Sequence, residues 1–151
     1  MNNQNFHNMK LLIEAADSVL LTTHERTDGD DLGSVLALAH HIKNQGKQAY
    51  LSIKGGLPEQ LDYLPGSDWV KEELPDANCD IIIISGCSKL ERTGNDQLLS
   101  LQIPKINIDH HPDNTEYGDL NLVDPAKSAV AELVYDCFRE YKWEITPNIA
   151  T

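Results

Sequence analysis

Apolar positions follow two alternating rhythms along the chain. A spacing of three to four residues through Phe6, Met9, Leu12, Ile13 and Ala16 predicts a short amphipathic helix over the first 17 residues. SVLLTTH at 18–24 is an apolar run closing on polar residues, and it reads as a strand. Leu32, Val35, Leu36, Ala39 and Ile42 then form a helical stripe over 32–44, with Gly46 as its stop. QAYLSI at 48–53 predicts a second strand. Residues 54–79 carry Gly55-Gly56, Pro58, Pro65-Gly66 and Pro75, so they read as loop with one short helix around Glu59–Tyr63.

CDIIIIS at 79–85 is the clearest strand, because four consecutive isoleucines bury both faces, as a central parallel strand does. A short helix over 95–101 and a strand KINIDHH at 105–111 follow. The segment 112–127 reads as loop with a short strand at 120–123. The next helix spans 128–141, with Val130, Leu133, Val134 and Cys137 facing inward. Strands alternating with helices predict an α/β class, a doubly wound and mainly parallel sheet with helices on both faces. Thr146-Pro147 reads as a helix cap followed by the first helical residue, and the chain stops at Thr151. About one helical turn is not stable alone, so the chain is expected to be a fragment cut after a helix begins.

The 151 residues suffice for one domain. Twelve basic against 24 acidic residues give a net charge of −12. That balance argues against binding long nucleic-acid duplexes, whose phosphates demand Lys and Arg. The three cysteines, Cys79, Cys87 and Cys137, form no C-x-x-C, and the polar N-terminus is no secretory signal. No apolar run reaches the length of a membrane span, so a cytoplasmic protein without membrane partners is expected.

Three chemistry-bearing segments each follow a predicted strand: HERTDGDDLGS (24–34), SGCS (85–88) and DHH (109–111). In doubly wound sheets ligands bind beyond the carboxyl ends of the strands, so His24, Asp28, Asp30, Asp109, His110 and His111 should converge on one edge. Imidazoles mixed with carboxylates suit Mn²⁺, Fe²⁺ or Zn²⁺ better than Ca²⁺. Asp28 and Asp30, two apart on a turn that Gly29 permits, can face two ions. His40-His41, mid-helix without an acid cluster, reads as structural.

HERTDGDDLGS resembles the first motif of the DHH phosphoesterases, the RecJ-like superfamily, and Asp109-His110-His111 is similar to the motif that names it. CSKLERTG (87–94) and IDHHPDNTEYGDLNLVDPAKSAVAEL (108–133) agree with the flanking family text. The resemblance is greatest to the bifunctional oligoribonuclease and pAp phosphatase branch, which acts on very short oligoribonucleotides and on 3′-phosphoadenosine 5′-phosphate (pAp). It implies a metal-binding DHH domain over 1–151, incomplete at its C-terminus, with the second, substrate-binding domain absent. It further implies two Mn²⁺ ions, with Mg²⁺ or another divalent ion as substitute. His24 and Asp28 would hold one, and Asp30 and His110 the other. Asp109 would orient the site, and His111 would sit at the scissile phosphate. Arg92 and Ser128 are the implied substrate contacts. A homodimer is compatible with this reading.

Two departures bear on activity. The family carries an Asp that bridges both ions where this chain has Gly86. The family's fourth metal-binding motif, an Asp in a T-D-T-G-like turn, would lie past Thr151. Loss of the bridging carboxylate and truncation together predict an impaired enzyme, inactive as this chain alone. Asp31, where the family usually has a small residue, could relocate a ligand. Two other readings stay open: a non-catalytic metal- or nucleotide-binding module with a degenerate site, and an enzyme like the manganese inorganic pyrophosphatases. The R-x-G segment and DPAKSAVAEL (124–133) favour the phosphoesterase over the latter.

Overall fold

Ile81–Ile84 and Ser85 form a strand in which every residue is buried. The computed structural model describes residues 3–151 and places this strand inside a six-stranded, wholly parallel sheet. The strands are β1 (Ser18–Thr23), β2 (Gln48–Ser52), β3 (Val70–Lys71), β4 (Ile81–Ser85), β5 (Lys105–Asp109) and β6 (Leu120–Val123). Their order is β3-β2-β1-β4-β5-β6. The four helices are α1 (Asn3–Ala15), α2 (Gly29–Asn44), α3 (Asp96–Ser100) and α4 (Val130–Tyr141).

Alternation along the strands divides the core. Val19, Leu21, Ile81, Ile83, Ile106 and Ile108 share a cluster with the apolar residues of α1, α2 and α4. Leu20, Ile82 and Ile84 point to the other face, where Cys87 and Leu98 cover them with Leu90 alongside. Helices therefore lie on both faces, as the apolar pattern predicts, but unequally: three long helices on one side, the five-residue α3 and a 3₁₀ turn at Leu90–Thr93 on the other.

The elements differ from their sequence reading in ways that have local causes. The first helix begins within the described residues at Asn3; Met1 and Asn2 lie outside them. α2 starts at Gly29 rather than near Leu32, because Asp28 caps it and a polar first turn adds nothing to an apolar stripe. β3, two residues long, is too short for any periodicity to register. Residues 147–149 form a turn rather than a helix, with the Ile149 and Ala150 amides both donating to the Thr146 carbonyl. The His40-His41 pair is structural, as expected. His40 Nε2 lies 2.9 Å from the Pro65 carbonyl, and the His41 ring stacks on Trp143 at 3.8 Å. All three cysteines are free and buried. Among the described residues no helix is long and apolar enough to cross a membrane.

The strand order reverses between β1 and β4. In open α/β sheets that reversal leaves a crevice at the carboxyl ends, since the crossovers on either side run outward in opposite directions. The segments following β1, β4 and β5 all emerge there.

Candidate functional site

The chain leaves β1 through His24 and reaches α2 in four residues, with Arg26 in the left-handed region at φ 58°. Asp28 is the N-cap. Its Oδ1 accepts from the amides of Asp30 (3.0 Å) and Asp31 (3.2 Å). Asp31 sits one helical turn along and folds back toward β1. Its Oδ2 lies 2.9 Å from His24 Nε2, and its Oδ1 accepts from Ser85 Oγ at 3.3 Å. Asp31 is buried, with a side chain only 5% exposed.

His24 Nδ1 lies 2.7 Å from the Glu25 carbonyl and Nε2 faces the Asp31 carboxylate, so both ring nitrogens meet acceptors, an arrangement that favours the protonated ring. The hydrogen bond to Asp31 raises the His24 pKa above its ordinary value, against the opposing effect of burial. His24, Asp28 and Asp31 each bring a ligand atom within 4.8 Å of the others. Among the described residues no other group of three His, Cys, Asp or Glu side chains does so.

β4 and β5 supply the opposite wall. Gly86, just past β4, has φ 64°, and its amide donates to the Ile108 carbonyl. Asp109, at the end of β5, is fully buried and saturated with donors. Its Oδ1 accepts from the amides of His110 (2.8 Å) and His111 (3.3 Å) and from His111 Nδ1 (2.7 Å). Its Oδ2 accepts from Asn114 Nδ2 at 2.5 Å. The carboxylate thereby fixes the His111 ring and leaves Nε2 on a side chain that is 34% exposed. His110 Nδ1 lies 3.2 Å from the Lys127 carbonyl, which directs its Nε2 away from that backbone.

Of the four residues the resemblance names as metal ligands, His24 and Asp28 come together. Asp30 turns elsewhere: its two oxygens accept from the amides of Val130 and Ala131, each at 2.8 Å, at the start of α4. His110 lies outside the His24–Asp28–Asp31 group. Arg92 is exposed, and its carbonyl accepts from the Glu25 amide at 2.9 Å. Ser128 is exposed as well, with its amide and hydroxyl on Glu132. The signal for Asp31 is helical: it lies three residues after Asp28, which puts both on one face of the first turn of α2.

One imidazole and two carboxylates suit a borderline divalent ion, and three protein donors leave coordination positions open, as reactive metal sites require. The donor set fits one ion at His24, Asp28 and Asp31. Asp30, whose oxygens accept the first amides of α4, lies outside that group.

The family described as "DHH family, N-terminal domain" matches residues 18–151. The bifunctional oligoribonuclease and PAP phosphatase NrnA of Thermus thermophilus is 33% identical over 151 residues, covering 95% of this chain and 44% of that protein. The Bacillus subtilis protein of the same name is 28% identical, covering 91% and 44%. The chain therefore spans less than half the length of these relatives. Among solved structures, an exopolyphosphatase-related protein from Bacteroides fragilis superposes with a TM-score of 0.84 at 24% identity, over 92% of this chain and 44% of that one. Exonuclease RecJ bound to manganese gives 0.52 at 15%, over 93% and 38%, a likeness of fold alone.

Proposed function

The chain belongs to the DHH family, and on that premise we propose that it is the metal-holding portion of a phosphoesterase. Its substrates are phosphate esters of short oligonucleotides or 3′-phosphoadenosine 5′-phosphate, and its ion is Mn²⁺. The observation that carries this reading is the convergence of His24, Asp28 and Asp31 at the crevice where the sheet order reverses. The names of the Thermus and Bacillus relatives support the substrate class, and the manganese in the RecJ structure supports the ion.

His24 would offer Nε2, and Asp28 and Asp31 carboxylate oxygens, as the ion's protein ligands. When bound, the ion supplies charge to offset the negative charge that builds on the phosphoryl oxygens, and acidifies water. Asp109 holds the His111 ring through Nδ1, so that a protonated Nε2 would deliver its proton to the leaving ester oxygen. Arg92 supplies a positive charge, and Ser128 a hydroxyl, for the substrate phosphates. The excess of acids elsewhere on the chain disfavours long polyanions and leaves small nucleotides as the better substrate.

The chain with Mn²⁺, alone and joined to the C-terminal portion of the Thermus relative, is assayed on pAp, on two- to five-nucleotide RNA and on inorganic pyrophosphate, beside His111→Ala and a chelator control. Metal-dependent hydrolysis of pAp or RNA by the joined protein, abolished by His111→Ala, is the expected result, with the chain alone impaired. Hydrolysis of pyrophosphate alone overturns the substrate class. A second reading rests on Gly86, which offers no side-chain ligand: a metal- or nucleotide-binding module without catalysis. Mn²⁺ uptake with no hydrolysis of any substrate supports that reading instead.

A further inference from the structure

Gly86 and Asp31 compete for one volume. A Cβ built on Gly86 would lie 1.7 Å from Asp31 Oδ1, 2.1 Å from its Cγ and 2.3 Å from its Oδ2. No flexible tail stands in the way there. The obstacle is the carboxylate itself, held between His24 Nε2 and Ser85 Oγ and buried. Any side chain at position 86 would have to expel it.

We propose that Asp31 delivers from the first turn of α2 the buried metal-binding carboxylate that could otherwise come only from the end of β4, and that Gly86 is glycine to make room for it. Positions 31 and 86 are alternative carriers of one ligand. A side chain leaving β4 at residue 86 would start inside the volume of the Asp31 carboxylate, beside His24. Asp31 reaches that volume from α2, one helical turn after Asp28. Either route puts one negative oxygen beside His24 Nε2, and the geometry excludes both at once.

Two further observations fit. Ser85 Oγ, fully buried at the last position of β4, spends its hydrogen bond on Asp31. Gly86 also sits at φ 64°, a region strained for any side chain though least so for Asp and Asn, so an aspartate there carries a backbone cost as well as the volume conflict. The larger obstacle is the occupied volume, since the added Cβ would fall inside the Asp31 carboxylate. Gly86 is thus part of the ligand arrangement rather than a mark of its loss.

The proposal rests on the reading of this cluster as a divalent-metal site, and the test separates the two. Parent, Asp31→Asn, Asp31→Ala, Gly86→Asp and the double variant Asp31→Ala/Gly86→Asp are compared by Mn²⁺ calorimetry and by urea unfolding without metal. The parent is expected to bind about one Mn²⁺ per chain. Asp31→Asn keeps the shape, removes the charge, and should weaken Mn²⁺ at least about tenfold. Gly86→Asp alone should lower the metal-free unfolding midpoint. The double variant should regain the part of that loss due to the shared volume, unfolding at a higher midpoint than Gly86→Asp, and bind Mn²⁺ more tightly than Asp31→Ala.

Parent affinity in Asp31→Asn overturns the proposal, and so does a double variant no better than Asp31→Ala. A Gly86→Asp chain as stable as the parent overturns it as well, because the two side chains then do not share a volume. If the parent itself takes up no Mn²⁺, the metal reading fails and this inference goes with it. If the parent binds and only the exchange fails, the metal reading stands.

Discussion

Asp30 is where structure and family resemblance point to different tasks, and Asp30→Ala separates them. The resemblance implies a metal ligand. The structure gives both its oxygens to the amides of Val130 and Ala131, each at 2.8 Å, so that a residue of α2 caps α4 across 100 positions of sequence. Replacing a side-chain cap by Ala removes about 0.5–2 kcal/mol. The negative charge at the start of α4 adds about 0.3–1 kcal/mol through the helix dipole. Alanine's higher helix propensity inside α2 offsets about 0.5 kcal/mol of this.

A net loss of about 1.5 kcal/mol is expected, which in a chain of this size lowers Tm by about 3–6 °C. Asp30→Asn keeps one acceptor and should lose about half as much. Urea and thermal unfolding followed by circular dichroism give the stability change, and calorimetry with Mn²⁺ gives the affinity. The structure predicts a destabilised chain whose Mn²⁺ affinity at His24, Asp28 and Asp31 is retained. An unfolding midpoint equal to the parent's, together with lost Mn²⁺ binding, would refute the capping role and return Asp30 to the ligand set.

Three other outcomes follow from the same geometry. Burial, helped by Lys47, pushes the His41 pKa down from 6.5 to about 4, so the unfolded chain binds that proton more readily than the folded one. Stability from this residue is complete above about pH 6.5 and is lost as pH falls toward 4; His41→Phe, which keeps an aromatic ring against Trp143, should flatten the fall in urea midpoint over that window. A variant whose acid slope equals the parent's would remove His41 from the account. Asn114→Ala strips a donor from the buried Asp109 carboxylate and an acceptor from Asn107, and should cost about 2 kcal/mol and loosen the His111 ring. Unchanged unfolding and an unchanged His111 ring resonance would count against that network. Burial raises the thiol pKa of Cys79, Cys87 and Cys137, so a thiol reagent should label the native chain slowly and the urea-unfolded chain fully. Equal rates in the two states would show that the thiols are accessible in the fold.

The cap on α4 also illustrates what a sequence can and cannot carry. The run Ile81–Ile84 announces a strand buried on both faces, because only a sheet covered above and below gives consecutive apolar residues a place. The stripes of α2 and α4 follow from the 3.6-residue period in the same way. His24 and Asp28 are legible too, since a strand end followed by a capped helix puts both beside one crevice. Val70–Lys71 is not legible, because two residues cannot establish a period.

The sequence by itself determined the alternation of strands and helices, the parallel sheet and the edge on which the histidines and acids collect. These are consequences of local periodicity and chain direction, which neighbouring residues encode. Only the tertiary structure decided which acid serves which purpose. Asp28, Asp30 and Asp31 are all carboxylates within one turn of chain, and their roles depend on what lies across from them. The cap on α2 falls to Asp28, while the amides of α4 take Asp30, brought there by packing between distant helices. Asp31 enters the crevice because Gly86, more than 50 positions away in the chain, leaves the space open. A carboxylate's task is set by the donors and the free volume around it, and those come from residues that only the folded chain makes neighbours.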